Sequence, residues 1–462
     1  MAADAGGTVV ARLDRLLARL RERLRRLPAA RRLRPAKPQP PVADPAIHDL
    51  VAGRSFAAAD AGRLADGEAR IAFVGCLPPY KTGVATSTYM QLLGFGPAFD
   101  LFVPIATPDA FLRQRQEFGG NRVLALDSLL PALAARRYDH VVFVIGNSEH
   151  FAAHLRLLPE AVKRAGADSV VCYLHDPFCT WVAQTALGLG YRDMEALMST
   201  LYGREIPKTV RPSSSSLFDA KMYGPRLYCE RFGVRRFLVN SKAAAAMVRG
   251  DLRDGQAADI ETLFLPVDED LPVPARDPID GPLVVGSFGV PTPAKLTGTV
   301  IEAVGILNRR GRPTRLQIAG FHAREWVRTT LADRPEWLDV AEPETEADLR
   351  DAMRQCDVAV QLRAFSQGET SGIVTSLMGL GIPTIVSPVG AFVEFGRAVV
   401  PFSGTAHDLA DLLQGPLPPD LRTAMRDYAS AHSLQRCRLR LAEILPPRDL
   451  SAADAMPGGR PA

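Results

Sequence analysis

Residues 357–395 constrain the fold of this chain more than any other stretch. The apolar run Val358-Ala359-Val360-Gln361-Leu362 has the length and composition of a buried parallel strand, and it ends at Arg363. A polar turn carrying two glycines follows, Ser366-Gln367-Gly368-Glu369-Thr370-Ser371-Gly372. Residues 373–380 have helical spacing, and Gly381-Ile382-Pro383 stops that helix before a second strand, Thr384-Ile385-Val386. Pro388-Val389-Gly390 then turns the chain again. Strand, turn, helix and strand form one βαβ unit, and strands this apolar need a parallel sheet covered on both faces. Ligands of such sheets bind beyond the carboxyl ends of the strands, which is where the turn 366–372 falls. N–H groups at the start of the helix suit a phosphate. Glu369 is placed to accept hydrogen bonds from sugar or ribose hydroxyls; its alternative role is a helix cap acting on the dipole.

The 462 residues accommodate two domains of ordinary size with extensions, and an apolar content of 47% supplies packed cores. No apolar run reaches the length of a membrane span. The net charge of +4 is unevenly spread: residues 1–40 hold eleven Arg and Lys against three acids, so this arm carries +8 and the remainder −4. The folded part is therefore not a basic nucleic-acid binder, and attraction to an anionic partner is confined to the arm. Residues 9–27 are expected to form an amphipathic helix, with Leu13, Leu16, Leu17, Leu20, Leu24 and Leu27 on one stripe and arginines over the rest. Pro28 ends it, and 31–41 is a basic, proline-rich linker. Such a helix suits self-association or docking in a coiled coil, or an anionic membrane surface; its spacing does not separate the two. The six cysteines form no CxxC pair and have no histidine at zinc spacing. They read as reduced and structural, which with the absence of an apolar signal segment suits the cytoplasm.

The first folded domain opens near Arg70 with the strand 71–75, followed by the loop Leu77-Pro78-Pro79-Tyr80-Lys81-Thr82-Gly83 into a helix. That loop is either an ordinary βα connection or a place where glycine lets the backbone approach a ligand. Further strands are expected at 101–105, 140–145, 169–174, 236–240 and 262–265, with helical stretches between them, which is the alternation of a parallel α/β domain. Two strands end in polar turns, Gly146-Asn147-Ser148-Glu149-His150 and Leu174-His175-Asp176-Pro177. An adjacent His and Asp at a strand end suit a sugar hydroxyl or developing charge, or else a half-buried histidine bonded to backbone. Residues 208–216, with Pro212 and four serines, read as a mobile loop. Residues 264–278 read as an interdomain linker, and its Asp268-Glu269-Asp270 as a solvated hinge rather than a metal site. The second domain begins with a strand at 282–288, then Gly289-Val290-Pro291-Thr292-Pro293-Ala294-Lys295 and a helix at 297–308. Lys295 sits at the strand-to-helix crossover, where an ammonium neutralises a diphosphate. Strands at 316–319 and 338–340 lead to the central unit, helices at 407–413 and 419–445 follow it, and the tail beyond Pro446 reads as disordered.

In their order and placement these segments resemble retaining GT-B glycosyltransferases of the family 4 type. The segments are Pro78-Pro79-Tyr80-Lys81-Thr82-Gly83-Val84-Ala85, the Gly-Asn turn, His175-Asp176, Lys295 and Gly368-Glu369-Thr370-Ser371-Gly372. The resemblance implies two Rossmann-like parallel-sheet domains facing a cleft. The arm and linker would be 1–48, the acceptor-side domain 49–275, the nucleotide-sugar domain 276–415, closing helices that cross back 416–446, and the tail 447–462. It implies a catalytic set of Glu369, His175 and Asp176. The donor would be lined by Gly368, Thr370, Ser371 and Gly372, with Lys295 on its diphosphate. Two positions depart from the pattern: Gly289 stands where the family has a second phosphate-binding cation, an arginine, and Ser376 where it has a ribose-binding glutamate. Lys81, Thr82, Gly83 and Asn147 would border the acceptor and donor phosphate, with His150 or His154 in the place of the family's histidine. The implied activity moves a sugar from a nucleotide-sugar, base unspecified, to a surface-glycan or lipid-linked saccharide acceptor with retention, without metal or further cofactor. The alternatives are a non-catalytic nucleotide-sugar or glycan-binding scaffold of the same fold, and an epimerase, for which the required set of carboxylates and histidines is not evident.

Overall fold

A computed structural model of the chain describes residues 68–206, 214–268 and 281–448. Seven strands make the first sheet: β1 (Ile71–Val74), β2 (Phe99–Val103), β3 (Arg122–Ala125), β4 (His140–Ile145), β5 (Val170–Leu174), β6 (Arg236–Val239) and β7 (Asp259–Thr262). They pair in the order β3-β2-β1-β4-β5-β6-β7, parallel throughout. Successive side chains point to opposite faces, so Ala72, Val74 and Phe143 join the core on one face, while Phe73, Val142 and Tyr173 join that on the other. Both faces are covered by helices, which is why the central strands β1 and β5, and β4 after His140, are apolar along their length.

The second sheet has six strands, β8 (Leu283–Phe288), β9 (Thr314–Ala319), β10 (Leu338–Ala341), β11 (Val358–Gln361), β12 (Thr384–Val386) and β13 (Val400–Pro401). Their order is β10-β9-β8-β11-β12-β13, again parallel. In each sheet the strand order reverses once, between β1 and β4 and between β8 and β11. Loops leaving two such neighbours diverge and open a crevice at the strands' carboxyl ends. The turn 366–372 leaves β11 at that point, and the loop 289–296 leaves its neighbour β8.

Several elements differ from the sequence expectation. The edge strands β3 and β13 were not expected, each being defined by its pairing with a strand distant in sequence, and β7 lies three residues earlier. The last three residues of the expected loop 208–216 open a helix, Ser214–Asp219, while 207–213 lie outside the described residues. The helical stretch expected over 419–445 is two helices, Leu421–Ala431 and Leu434–Ile444, separated where Ser433 caps the second and the His432 carbonyl accepts from Val267 N–H at 2.8 Å. Leu421 and Met425 of the first pack into the second domain's core, and Cys437, Leu441 and Ile444 of the second pack into the first domain's. The chain is still held at Arg448, whose N–H donates to Asp139 at 3.1 Å. Residues 449–462 and the helix expected over 9–27 lie outside the described residues. Asp268 pairs with Arg350, while Glu269 and Asp270 lie outside the described residues. None of the six cysteines forms a disulfide.

Candidate active site

The second domain's half of the site is built by the two loops at its switch point. Beyond β8 the chain turns at Gly289 with φ +88°, and a Cβ added there would lie 3.0 Å from Lys295 Nζ. A side chain at 289 would therefore displace the ammonium. Thr292 caps the turn that carries Lys295, and Ala364 N–H donates to the Ala294 carbonyl at 2.8 Å, tying this loop to the segment after β11. Lys295 thereby comes beside Arg363. Burial lowers the Lys295 pKa to about 7; Arg363 lowers it further and Glu369 opposes the shift. The Arg363 side chain is 12% exposed, with Nε 3.6 Å from Glu369 Oε1 and its guanidinium 5.4 Å from the Phe392 ring centroid. Burial lowers its pKa as well, against the pull of Glu369.

Glu369 Oε2 accepts from Gln367 N–H at 2.8 Å. The cap of the following helix, Gly372–Gly379, is Ser371, whose Oγ accepts from Val374 N–H at 3.3 Å. Glu369 is therefore not the helix cap. Two half-buried cations lie beside one carboxylate at the head of a helix, an arrangement that favours a further anion. Sequence alone points to Lys295 as the only clamp residue, since Gly289 stands in the arginine's place. The structure brings Arg363 to the same spot from the neighbouring loop. Its one sequence signal is a cation directly following an apolar strand.

The first domain contributes the ends of β1, β4 and β5. His175 follows β5, is 6% exposed, and lies with Nδ1 3.0 Å from Asn240 Nδ2. Its Nε2 has no hydrogen-bond partner among the described residues. Burial lowers its pKa to about 3, so the ring is neutral. Asp176 accepts from Asn147 N–H at 2.9 Å; burial raises its pKa to about 6, with Glu369 across the cleft adding to the rise. The Asn147 side chain is turned inward, its Oδ1 accepting from Val182 N–H at 3.1 Å. Thr82 caps the helix Gly83–Leu92, and no atom crowds the Cβ position of Gly83. Lys81 Nζ lies 5.5 Å from the ring centroid of Phe321, a residue of the other domain. Of the two histidine candidates, His154 is fully buried in the core beside Cys76, and His150 packs against Tyr80 with centroids 5.4 Å apart.

The two halves touch. Thr370 Oγ1 lies 3.4 Å from the Asn240 carbonyl, and the Glu394 carboxylate accepts from Lys242 N–H and Ala243 N–H at 3.0 and 2.8 Å. Gly368, at φ +92°, sits where a Cβ would come within 2.7–2.8 Å of Met247 and Pro177 of the first domain. The lack of a side chain at this position gives room to the opposite domain. Gly372 opens the helix with nothing near its Cβ position, and Ser376 lies one turn on, half-buried, its carbonyl in the helix ladder.

No protein-family model matches the sequence, and no curated protein does. Solved structures do match. One is HepE from Anabaena in complex with UDP, at 16% identity and TM-score 0.52, over 81% of this chain and 99% of that one. Another is a glycosyltransferase from Rickettsia africae, at 13% identity and TM-score 0.53, over 82% and 98%. A third is WaaG, a glycosyltransferase involved in lipopolysaccharide biosynthesis, at 12% identity and TM-score 0.50, over 82% and 100%. At such identities the likeness is one of fold. The fold is GT-B. In GT-B terms, the crevice between the two sheets' carboxyl ends is the interdomain cleft, with Lys295, Arg363 and Glu369 on one wall and His175 and Asp176 on the other.

Proposed function

We propose that this GT-B protein transfers a sugar from a nucleotide-sugar to a saccharide acceptor, retaining the anomeric configuration. One observation carries the reading: a half-buried Lys295–Arg363 pair beside Glu369 at a helix head, with Glu369 within electrostatic reach of Asp176 across the cleft. The bond between sugar and diphosphate breaks with negative charge growing on the phosphate oxygens. Lys295, Arg363 and the N–H groups at the helix head stabilise that charge. Glu369 orients the sugar through its hydroxyls, and His175 meets it from the opposite domain. Retention follows the resemblance, through attack on the face the leaving diphosphate departs from. The acceptor, by the same resemblance, is a growing surface glycan or a lipid-linked saccharide. That HepE was crystallised with UDP supports a nucleoside diphosphate as the anion. The scaffold alternative draws on Ser376 replacing the ribose carboxylate; Arg363 weakens it by supplying a second cation to the clamp. No helix among the described residues is long and apolar enough to cross a membrane. Peripheral membrane attachment or self-association through 9–27 is proposed from the sequence alone.

A panel of UDP-, GDP-, ADP- and dTDP-sugars incubated with the full chain tests the activity. Release of one nucleoside diphosphate, accelerated by added saccharide, is the expected result. Tight binding of one donor with no release over the whole panel would instead identify a scaffold.

The half-buried lysine adds a pH dependence. A bound diphosphate raises the Lys295 pKa above its value of about 7 in the free protein, so binding takes up a proton. Affinity for the diphosphate that the panel selects is then expected to fall above about pH 7, by up to about tenfold per pH unit, until the pKa of the complex is reached. Titration calorimetry in buffers of different ionisation enthalpy reads both quantities. Constant affinity with no proton uptake across that range would place the diphosphate away from Lys295.

A further inference from the structure

The orphan Nε2 of His175 is held by a chain of buried side chains that runs in one direction. Parallel pairing aligns Leu174 of β5 with Val239 of β6, which brings the next residues, His175 and Asn240, side by side. On the same face of β5 as His175 is Tyr173, fully buried, its ring centroid 4.5 Å from the imidazole's. The Gln91 amide nitrogen donates to Tyr173 Oη at 3.1 Å, and the Tyr173 hydroxyl donates to Asn240 Oδ1 at 2.6 Å. Asn240 is thereby oriented with its amide nitrogen towards His175 Nδ1, 3.0 Å away. An amide nitrogen only donates, so Nδ1 must carry the lone pair and the ring proton must sit on Nε2. Cys437, in the core on that side, gives its S–H to the Phe264 carbonyl at 3.5 Å.

We infer that Gln91, Tyr173 and Asn240 are positioning residues that lock His175 as the neutral Nε2–H tautomer, making it a fixed hydrogen-bond donor to a hydroxyl oxygen of the donor sugar. The last clause rests on the proposed transfer reaction; the tautomer does not. A histidine so held is neither a general base, having no lone pair towards the cleft, nor a cation competing with Lys295 for the diphosphate. It accounts for a polar atom buried without a partner on the cleft side, where a ligand hydroxyl would satisfy it.

The test is nitrogen-15 NMR of the full chain labelled at histidine, with the His175 signals assigned by their loss in His175→Gln. The wild type is expected to show a protonated Nε2 and an unprotonated Nδ1. Asn240→Asp replaces the donating amide by a carboxylate that can only accept, so the proton should move to Nδ1 and the two signals exchange character. Tyr173→Phe keeps the buried ring and removes only the hydroxyl, freeing Asn240 to turn; a mixture of tautomers is expected, with a near-native melting transition. A protonated Nδ1 in the wild type, or the same tautomer in all three proteins, would overturn the inference. Transfer in Asn240→Asp is expected to fall at least tenfold through kcat, since the cleft-facing nitrogen then accepts instead of donating. A tautomer as expected in a wild type that transfers no sugar leaves the relay standing and counts against the transfer reading alone.

Discussion

Glu369→Gln lowers sugar transfer by about two orders of magnitude or more and leaves the melting temperature nearly unchanged. Preorganised polar groups aimed at developing charge are worth about 2.7–4 kcal/mol each, which is that factor in rate. The small effect on stability follows from the contacts. The helix cap is Ser371, so the substitution removes no cap. A glutamine oxygen can still accept from Gln367 N–H, and the partly exposed pair with Arg363, at 3.6 Å, contributes at most about 1 kcal/mol. The variant should also bind free nucleoside diphosphate as well as the wild type or better. A negative charge is removed from beside Lys295 and Arg363, while the carboxylate's proposed partner, the sugar, is absent from that ligand. Lost turnover with retained diphosphate binding separates a group that acts on the sugar from one that merely holds the fold. A drop in stability with full turnover per folded molecule would sink the assignment.

Lys295→Ala weakens binding of the nucleoside diphosphate by about 1.5–3 kcal/mol, roughly ten- to 150-fold in Kd, the scale of a hydrogen bond between charged groups. Binding is weakened and not abolished, because Arg363 reaches the same anion from the β11 side. The fold is expected to tolerate the change. Burial depresses the Lys295 pKa to about 7, so the side chain costs stability in full below about pH 7, and the cost fades as pH rises to the ordinary lysine value, the window in which the unfolded chain binds more protons than the folded one. Alanine removes that cost and leaves a small cavity, two effects of opposite sign. The pH dependence of affinity described above should vanish in the same variant. Calorimetry on the two proteins decides the matter, and unchanged affinity would move the diphosphate elsewhere.

The two sheets were legible in the sequence because a strand buried on both faces must be apolar throughout, and that pattern is local. β4, β11 and β12 stand within one residue of their apolar runs for this reason. The positions of Lys295 and Glu369 were legible too, since each follows a strand and precedes a helix start, and that succession is itself local. The edge strands β3 and β13 and the break at His432-Ser433 were not, because their cause is a neighbour distant in sequence: one strand pairing for each edge strand, and Val267 for the break. The same holds at the site. Arg363 stands beside Lys295 only because β11 pairs with β8, across two intervening βα units. Gly368 is a glycine because Pro177 and Met247 of the other domain press on it. His154 is withdrawn into the core and His175 is turned towards the cleft with one tautomer, although both are histidines near strand ends. Periodicity and turn chemistry depend on residues a few places apart, and so they settle which segments become strands, helices and loops. Which charges share a buried space, and which way a ring proton points, depends on strand pairing and domain contact, and only the tertiary structure decides those.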